Sequence, residues 1–311
     1  MEFQMSDIKL YKLGESGANE VTGQSVALEK SLQSLIEFNL ETLLGVRFLA
    51  SEFVTDRDHG GRMDTLGIDE NNCPVIIEYK RSANANVINQ GLFYLDWLVT
   101  HRGDFEMLVL KRLGEEAARS VEWSSPRLIC IAGGFNKFDE HAIKQMQRNI
   151  ELVRYIKFDD DLLLLEQINS VSVAPPVVVR SSQPSSKVKE STKYTTVSEY
   201  LEKADQDLTD RFHALKDFLG NLGDDVQEKT LKNYFAFRRI KNFACVEVKP
   251  QDRKLLVYLK VNPDEVALEP GFTRDVRKIG HFGTGDLEVV IRSDDDLAKA
   301  MPLVESSYHN A

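Results

Sequence analysis

Cysteine is scarce in this chain: three residues in 311, Cys73, Cys130 and Cys245. An odd number at wide spacing fits neither a disulfide framework nor a zinc site. Long apolar runs are missing as well. The longest, such as Leu162–Leu165 and Pro175–Val179, fall far short of the roughly 20 residues a helix needs to cross hydrocarbon, so no membrane partner is expected. Met1–Tyr11 mixes Glu, Gln, Asp and Lys; it does not read as a secretory signal, and a reducing cytoplasm is the expected compartment. A basic excess is the third absence. Lys and Arg number 39 against 49 Asp and Glu, a formal charge of -10, which at face value argues against a polyanionic partner. Residues 1–168 hold 18 basic and 27 acidic side chains, 194–311 hold 17 and 21, and only 169–193, with 4 and 1, is net basic. A negative total slows encounter with nucleic acid, yet local basic strips and a bound divalent cation still hold phosphates.

What is present is ordinary globular composition, 42% hydrophobic and 28% charged, in a length that suits two domains of about 100 to 200 residues each. Asn169–Thr196 carries three prolines among Ser, Thr and Lys and has no period after Val179. It reads as a linker, dividing the chain into 1–168, 169–196 and 197–311.

In the first segment Leu28, Leu32, Leu35, Ile36, Leu40 and Leu43 recur at three- and four-residue steps, predicting an amphipathic helix over Val26–Leu44 that Gly45 ends. Strands are expected at Arg47–Thr55, Arg62–Ile68, Pro74–Lys80 and Arg127–Ala132, with a helix at Asn86–Thr100. Helix, three strands, helix, strand is the order of an α/β fold with a mixed sheet flanked by helices.

Arg62–Ile68 and Pro74–Lys80 flank the turn-rich Asp69–Asn72. A hairpin centred on Asn71 sets Leu66 opposite Ile76, Asp64 opposite Glu78 and Arg62 opposite Lys80, all on one face by the period of two. Facing carboxylates repel, and a divalent metal is the simplest remedy; hard oxygen ligands suit Mg²⁺ or Mn²⁺. Lys80 points at the same place. Such a set suits phosphodiester hydrolysis, the cation polarising a phosphate oxygen and acidifying water while the lysine orients that water or stabilises developing charge. An isolated pattern of this kind also occurs as ordinary exposed ion pairs on a surface hairpin.

The surrounding blocks add specificity: G-R-M-D at Gly61–Asp64, P-V-I-I-E-Y-K at Pro74–Lys80, Q-G-L-F-Y-L-D-W-L at Gln90–Leu98, and the helix L-E-K-S-L-Q-S-L-I-E from Leu28. Together they resemble the PD-(D/E)xK nuclease superfamily, in the branch near the archaeal and actinobacterial NucS-type endonucleases. The resemblance covers residues 20–168. It implies a restriction-endonuclease-like core and metal-dependent cleavage of DNA. It makes Asp64 and Glu78 the metal-binding carboxylates, Lys80 the catalytic lysine, and Glu29 the acid completing the metal shell, with Glu37 as the rival for that place. Arg62 is a phosphate contact or a partner of Glu78. Gln90 and Tyr94, four residues apart on one helix face, match a Q-x₃-Y motif beside the active site in the RecB-like branch, which implies a DNA contact at Gln90. Tyr94 and Trp97 read more readily as helix-to-sheet packing. The loop Arg81–Asn86 is a close-approach loop for nucleic acid or a connector.

His59, His101 and His141 are scattered, Asp159–Asp161 reads as a solvated turn, and Cys130 as inert core, with Cys73 in the hairpin turn.

The C-terminal segment reads as a smaller α+β domain, with helices at Val197–Ala204 and Leu208–Leu222, strands at Ala244–Lys249, Lys254–Val261 and Leu287–Arg292, and a helix over Asp295–Tyr308 capped by Ser293 or Asp294. It resembles a domain of unknown function sometimes labelled a predicted transport protein, although a chain without spanning segments offers no support for transport. In Lys229–Phe243, cations including Arg238 and Arg239 interleave with Tyr234, Phe235, Phe237 and Phe243, either a stacking platform for bases or core aromatics with a basic rim. His281–Asp286 is Gly-rich but lacks the frame of a phosphate loop. The leading expectation is a metal-dependent endonuclease whose partner is DNA, acting in repair or defence, with a homodimer supplying the two sites that a double-strand cut needs. The alternatives are an inactive nucleic-acid-binding protein, or a subunit that meets a protein partner through its C-terminal domain.

Overall fold

The computed structural model describes residues 8–15, 17–25, 29–55, 60–80, 86–146, 148–159, 161–171 and 196–311. The start of the first expected helix (26–28), His59, most of the loop after Lys80 (81–85), Asp160 and most of the expected linker (172–195) lie outside them. The chain forms two compact units, Met1–Val173 and Ala174–Ala311.

In the first unit, β1 (Leu10–Gly14) and β2 (Gly17–Val21) make a separate hairpin. In α1 (Glu29–Phe38), Leu32, Gln33 and Ile36 form the buried face, the spacing read from the sequence. The helix expected to continue to Leu44 is broken at Asn39, whose side-chain amide donates to Leu35 O at 2.9 Å while its backbone leaves the helical region. A short α2 (Leu40–Leu44) follows and ends at Gly45.

Among the described residues the central sheet has seven strands. These are β3 (Gly23–Gln24), β4 (Val46–Val54), β5 (Arg62–Asp69), β6 (Pro74–Lys80), β7 (Arg127–Ala132), β8 (Asn149–Phe158) and β9 (Leu162–Val171). Their order is β3-β8-β7-β6-β5-β4, with β9 also on β8. The β6–β7 and β7–β8 pairs are parallel and the others antiparallel, so the sheet is mixed. Strand β9 runs on through Asn169 to Val171, into the stretch expected to be linker. Parallel neighbours need crossovers: α3 (Asn86–Thr100), α4 (Arg102–Leu113) and α5 (Glu115–Arg119) join β6 to β7, and α6 (Lys137–Gln145) joins β7 to β8. Strand β7 is buried along its whole length, as a strand covered on both faces must be. Helix α3 packs on β6 and β7, closely enough that a Cβ on Gly91 would lie 2.5 Å from Leu128 Cδ1.

At the turn end of the β5–β6 hairpin, Asp69 Oδ1 accepts from the amides of Asn71 and Cys73, both at 2.9 Å. Asp69 Oδ2 accepts from Arg127 at 2.8 Å, and Arg127 also forks onto both carboxylate oxygens of Glu151 at 2.8 Å. All three side chains are buried, so this ion network ties β5, β7 and β8 together beneath the hairpin.

The second unit is an antiparallel sheet with helices packed on it. Strands β10 (Gln227–Thr230), β11 (Phe235–Arg238), β12 (Asn242–Lys249), β13 (Lys254–Leu259), β14 (Thr273–Asp275) and β15 (Leu287–Ile291) run in the order β10-β11-β12-β13-β15-β14. Helices α7 (Val197–Glu202), α8 (Gln206–Gly220) and α9 (Asp294–Asn310) supply the rest of its core. Of the two expected caps, Ser293 is the N-cap of α9, in a capping box with Asp296.

Candidate active site

The β5–β6 register sets Leu66 opposite Ile76 and Thr65 opposite Ile77, the register expected from the sequence. The backbone ladder stops there. On the next rung the acids take over the role of the ladder: the Asp64 amide donates to Glu78 Oε1 at 3.1 Å, and the Tyr79 amide donates to Asp64 Oδ2 at 3.0 Å. Each carboxylate is thus pinned by the opposite strand. Glu78 is wholly buried, and its second oxygen, Oε2, meets no hydrogen-bond donor. Burial, followed by the charge of Asp64, pushes the Glu78 carboxyl up to about 9, against the smaller pull of the Asp64 amide and Lys80. Burial also raises Asp64, offset in part by the Tyr79 amide and Lys80. Two acids that cannot both ionise comfortably mark a place short of positive charge.

Lys80 donates to Glu29 Oε1 at 3.0 Å. Burial alone would lower its ammonium, but the hydrogen bond and charge of Glu29, with the charges of Asp64 and Glu78, outweigh that and raise it above the ordinary lysine value. The two candidate acids on α1 make different contacts. Glu29 faces the lysine, whereas Glu37 Oε1 accepts from Thr65 Oγ1 at 2.6 Å and from Gln33 Nε2 at 3.0 Å. Gln33, to which the sequence reading gives no role, is buried and also donates to Asp64 O at 2.7 Å, fixing α1 against the acid-bearing strand.

Arg62 does not pair with Glu78. Its Nε lies 2.6 Å from Glu52 Oε2, and Glu52 Oε1 receives Lys30 Nζ at 2.7 Å. The sequence reading gives neither Glu52 nor Lys30 a role; the available signals are an acid inside the expected strand Arg47–Thr55 and a lysine beside Glu29 in the helix block.

Tyr94 is 6% exposed and belongs to the core cluster. Its hydroxyl accepts from the Arg62 amide at 3.2 Å and from Gln90 Nε2 at 3.2 Å. A Cβ on Gly61 would stand 2.4 Å from its ring, so the glycine before Arg62 is what lets the ring approach. The structure gives Tyr94 a packing role at the start of β5, and Gln90, half-buried, is the member of the pair nearer solvent. Trp97 is buried and stacks on His101 at 4.6 Å between centroids.

The aromatic residues of the basic stretch in the second unit are core. Phe235, Phe237 and Phe243 lie in its hydrophobic cluster and cannot offer a base-stacking surface. Arg238 is 1% exposed, donating to the carbonyls of Arg239 and Ile240. Arg239 pairs with Asp225 at 2.7 Å and lies over the Tyr308 ring. Burial removes Arg238 from any phosphate contact, and its side chain braces the β11–β12 turn, whereas that of Arg239 reaches Asp225 and Tyr308. Arg238→Ala is therefore expected to lower stability by about 1–3 kcal/mol, from lost charged hydrogen bonds, and to leave DNA affinity unchanged; thermal melting and fluorescence anisotropy check the two halves.

Asp159 sits exposed in the β8–β9 turn at φ 48. Cys73 and Cys130 are buried, and burial pushes the Cys130 thiol up, out of reactive range. His281–Asp286 lies in the connection from β14 to β15, not between a strand and a helix.

The donor set fits a hard divalent cation: two carboxylates side by side, one with a buried oxygen lacking any donor. Mg²⁺ is commonly held by one or two carboxylates and completes its shell with water and phosphate oxygens. Among the described residues no group of three or more His, Cys, Asp or Glu forms a ready-made cage. No helix among them is long and apolar enough to cross a membrane.

Residues 197–311 match a domain of unknown function, DUF5655. Over 307 residues, 96% of this chain and 99% of the relative, the protein is 30% identical to an uncharacterized protein of Haemophilus influenzae, and it belongs to the family of that protein. Among solved structures it is similar to a repair endonuclease from Pyrococcus abyssi (18% identity, TM-score 0.29, 43% of this chain and 49% of that one). It is also similar to EndoMS in a double-stranded DNA complex (17%, 0.27, 42% and 47%) and in apo form (16%, 0.25, 44% and 53%). The chain spans about half the length of these structures, a likeness too slight to carry an activity across.

Proposed function

We propose that the protein is a metal-dependent nuclease that hydrolyses DNA phosphodiester bonds at the open end of the β5–β6 hairpin. The observation that carries the reading is Glu78 Oε2, a buried carboxylate oxygen without a donor, next to Asp64 and on the face that Lys80 shares. A protein with only a structural use for this hairpin would gain by replacing that acid. Asp64 and Glu78 would hold Mg²⁺ or Mn²⁺, which when bound supplies Lewis acidity at a phosphate oxygen and a lowered pKa for water. Lys80, kept as an ammonium by Glu29, donates a hydrogen bond to the attacking water or to a non-bridging phosphate oxygen, where negative charge develops in the transition state. Glu29 is a positioning residue for Lys80. Tyr94 and Gly61 fix the start of β5, and Gln33 fixes α1, so the acids and the lysine are held before substrate arrives. The choice of DNA rests on the resemblance of the four sequence blocks.

The test is cleavage of single-stranded, duplex, branched and mismatched DNA with Mg²⁺, Mn²⁺ or EDTA, comparing wild type with Asp64→Ala. Cleavage that needs the metal and drops at least about a thousandfold in the variant is expected, with the fold intact by circular dichroism. Binding without cleavage of any substrate would overturn the reading.

A further inference from the structure

We propose that Glu52 is a stand-in for a backbone phosphate: it occupies a two-cation clamp, Lys30 and Arg62, beside Asp64, and the substrate's phosphate displaces it. The inference deepens the nuclease reading and rests on it.

One carboxylate oxygen of Glu52 faces each cation: Oε1 accepts a hydrogen bond from Lys30 at 2.7 Å, and Oε2 lies 2.6 Å from Arg62 Nε as an ion pair without hydrogen-bond geometry. Two oxygens of a phosphate present the same fork to an ammonium and a guanidinium. The clamp is tied to the site. Lys30 Nζ also donates to Gln33 Oε1 at 3.0 Å, and Gln33 Nε2 donates to Asp64 O at 2.7 Å. Arg62 lies two residues before Asp64 on the same strand, so it shares the face of the acid. The cations are outermost, their side chains 59% and 64% exposed, while that of Glu52 is 29% exposed beneath them. A polyanion approaching from solvent therefore meets the cations first.

The backbone argues that Glu52 is aimed. It adopts φ 53, the left-handed region where side chains other than Asn and Asp are uncommon. Exposed ion pairs of this kind contribute little to stability, so the strain is not repaid by the pairs themselves. The proposed return is selectivity. In a chain of net charge -10, occupying both cations and cancelling one of their two positive charges suppresses indiscriminate binding of polyanions. Only a backbone that also reaches Asp64 and Glu78 gains enough to displace the glutamate.

The test measures binding of a fluorescein-labelled duplex with a single-stranded tail by anisotropy over a salt series, using full-length protein with Ca²⁺ as the oxygen-seeking cation. Glu52→Gln is expected to bind about tenfold tighter, with a log K against log salt slope steeper by about 0.9 for each additional phosphate neutralised. Glu52→Asn, which suits the left-handed backbone, should behave alike and melt no lower than wild type. Adding Lys30→Ala or Arg62→Ala to Glu52→Gln should return affinity to the wild-type level or below. Unchanged affinity and slope in both Glu52 variants overturns the clamp, and metal-dependent cleavage by wild type then leaves the nuclease reading standing. Tighter binding by the variants with no cleavage by wild type overturns the nuclease reading and keeps the clamp as a phosphate site.

Discussion

Glu78→Gln is expected to raise the melting temperature of the metal-free protein while removing its cleavage activity. In the native carboxylate, Oε1 accepts from the Asp64 amide and Oε2 is buried without a donor. Glutamine keeps the acceptor and removes the buried charge. The gain has a defined pH dependence. Because burial and Asp64 push Glu78 from 4.5 to about 9, the folded protein binds a proton that the unfolded chain has released between those values. The destabilisation is therefore absent below the unfolded pKa and grows as pH rises toward the folded one. Near pH 8 the variant should be more stable by about 1–2 kcal/mol, roughly 3–6 °C in a unit of this size, and near pH 4 the difference should vanish. Cleavage with Mn²⁺ should fall at least about a thousandfold, since a ligand to the cation is lost. Differential scanning fluorimetry in EDTA across pH, paired with the cleavage assay, reads both. A variant that melts lower near pH 8 would make Glu78 a structural acid, and one that still cuts would remove it from the site.

The hairpin is legible in the sequence because its determinants are local. Pro74 begins β6, an Asp-Glu-Asn-Asn stretch supplies the turn, and the period of two then leaves no choice about which residues share a face with Asp64. The long, strongly periodic elements are legible for the same reason; Asn86–Thr100 and Arg127–Ala132 have the expected boundaries.

The choice between Glu29 and Glu37 is not legible. Eight residues apart, they lie about 80° apart around the helix and about 12 Å apart along the axis, and only the docking of α1 on β5 and β6 decides which reaches Lys80. Glu52 is hidden more deeply. Its partners come from α1 and β5, and its direction depends on one left-handed residue inside a strand. Lys229–Phe243 misleads for another reason. Strands β10 and β11 are four residues each, too short for alternation to declare itself, so core phenylalanines between cations imitate a nucleic-acid surface.

The same hairpin makes Arg127→Met the most destabilising substitution expected in the first unit. Arg127 bridges Asp69 and Glu151, and all three side chains are buried. Removing it deprives two desolvated carboxylates of the cation between them, a loss of about 3–5 kcal/mol, or roughly 10 °C in melting temperature. The consequence reaches the opposite end of the hairpin. Asp69 also accepts the Asn71 and Cys73 amides that shape the turn, and a one-residue slip there would move Asp64 to the other face of the sheet. Cleavage should therefore fall together with stability, although Arg127 touches nothing at the site. Adding Asp69→Asn and Glu151→Leu to Arg127→Met supplies the control. The amide oxygen introduced by Asp69→Asn can still accept from the turn amides, and a buried ion triad replaced by uncharged groups of similar size is often neutral or stabilising, so the triple variant should recover most of both stability and cleavage. Urea denaturation of the single and triple variants measures the first, and the metal-dependent assay the second. A single variant within about 1 kcal/mol of wild type would show that the network does not hold the hairpin. A stable triple variant that fails to cut would show that the charged network itself, and not the stability it confers, is what the site needs.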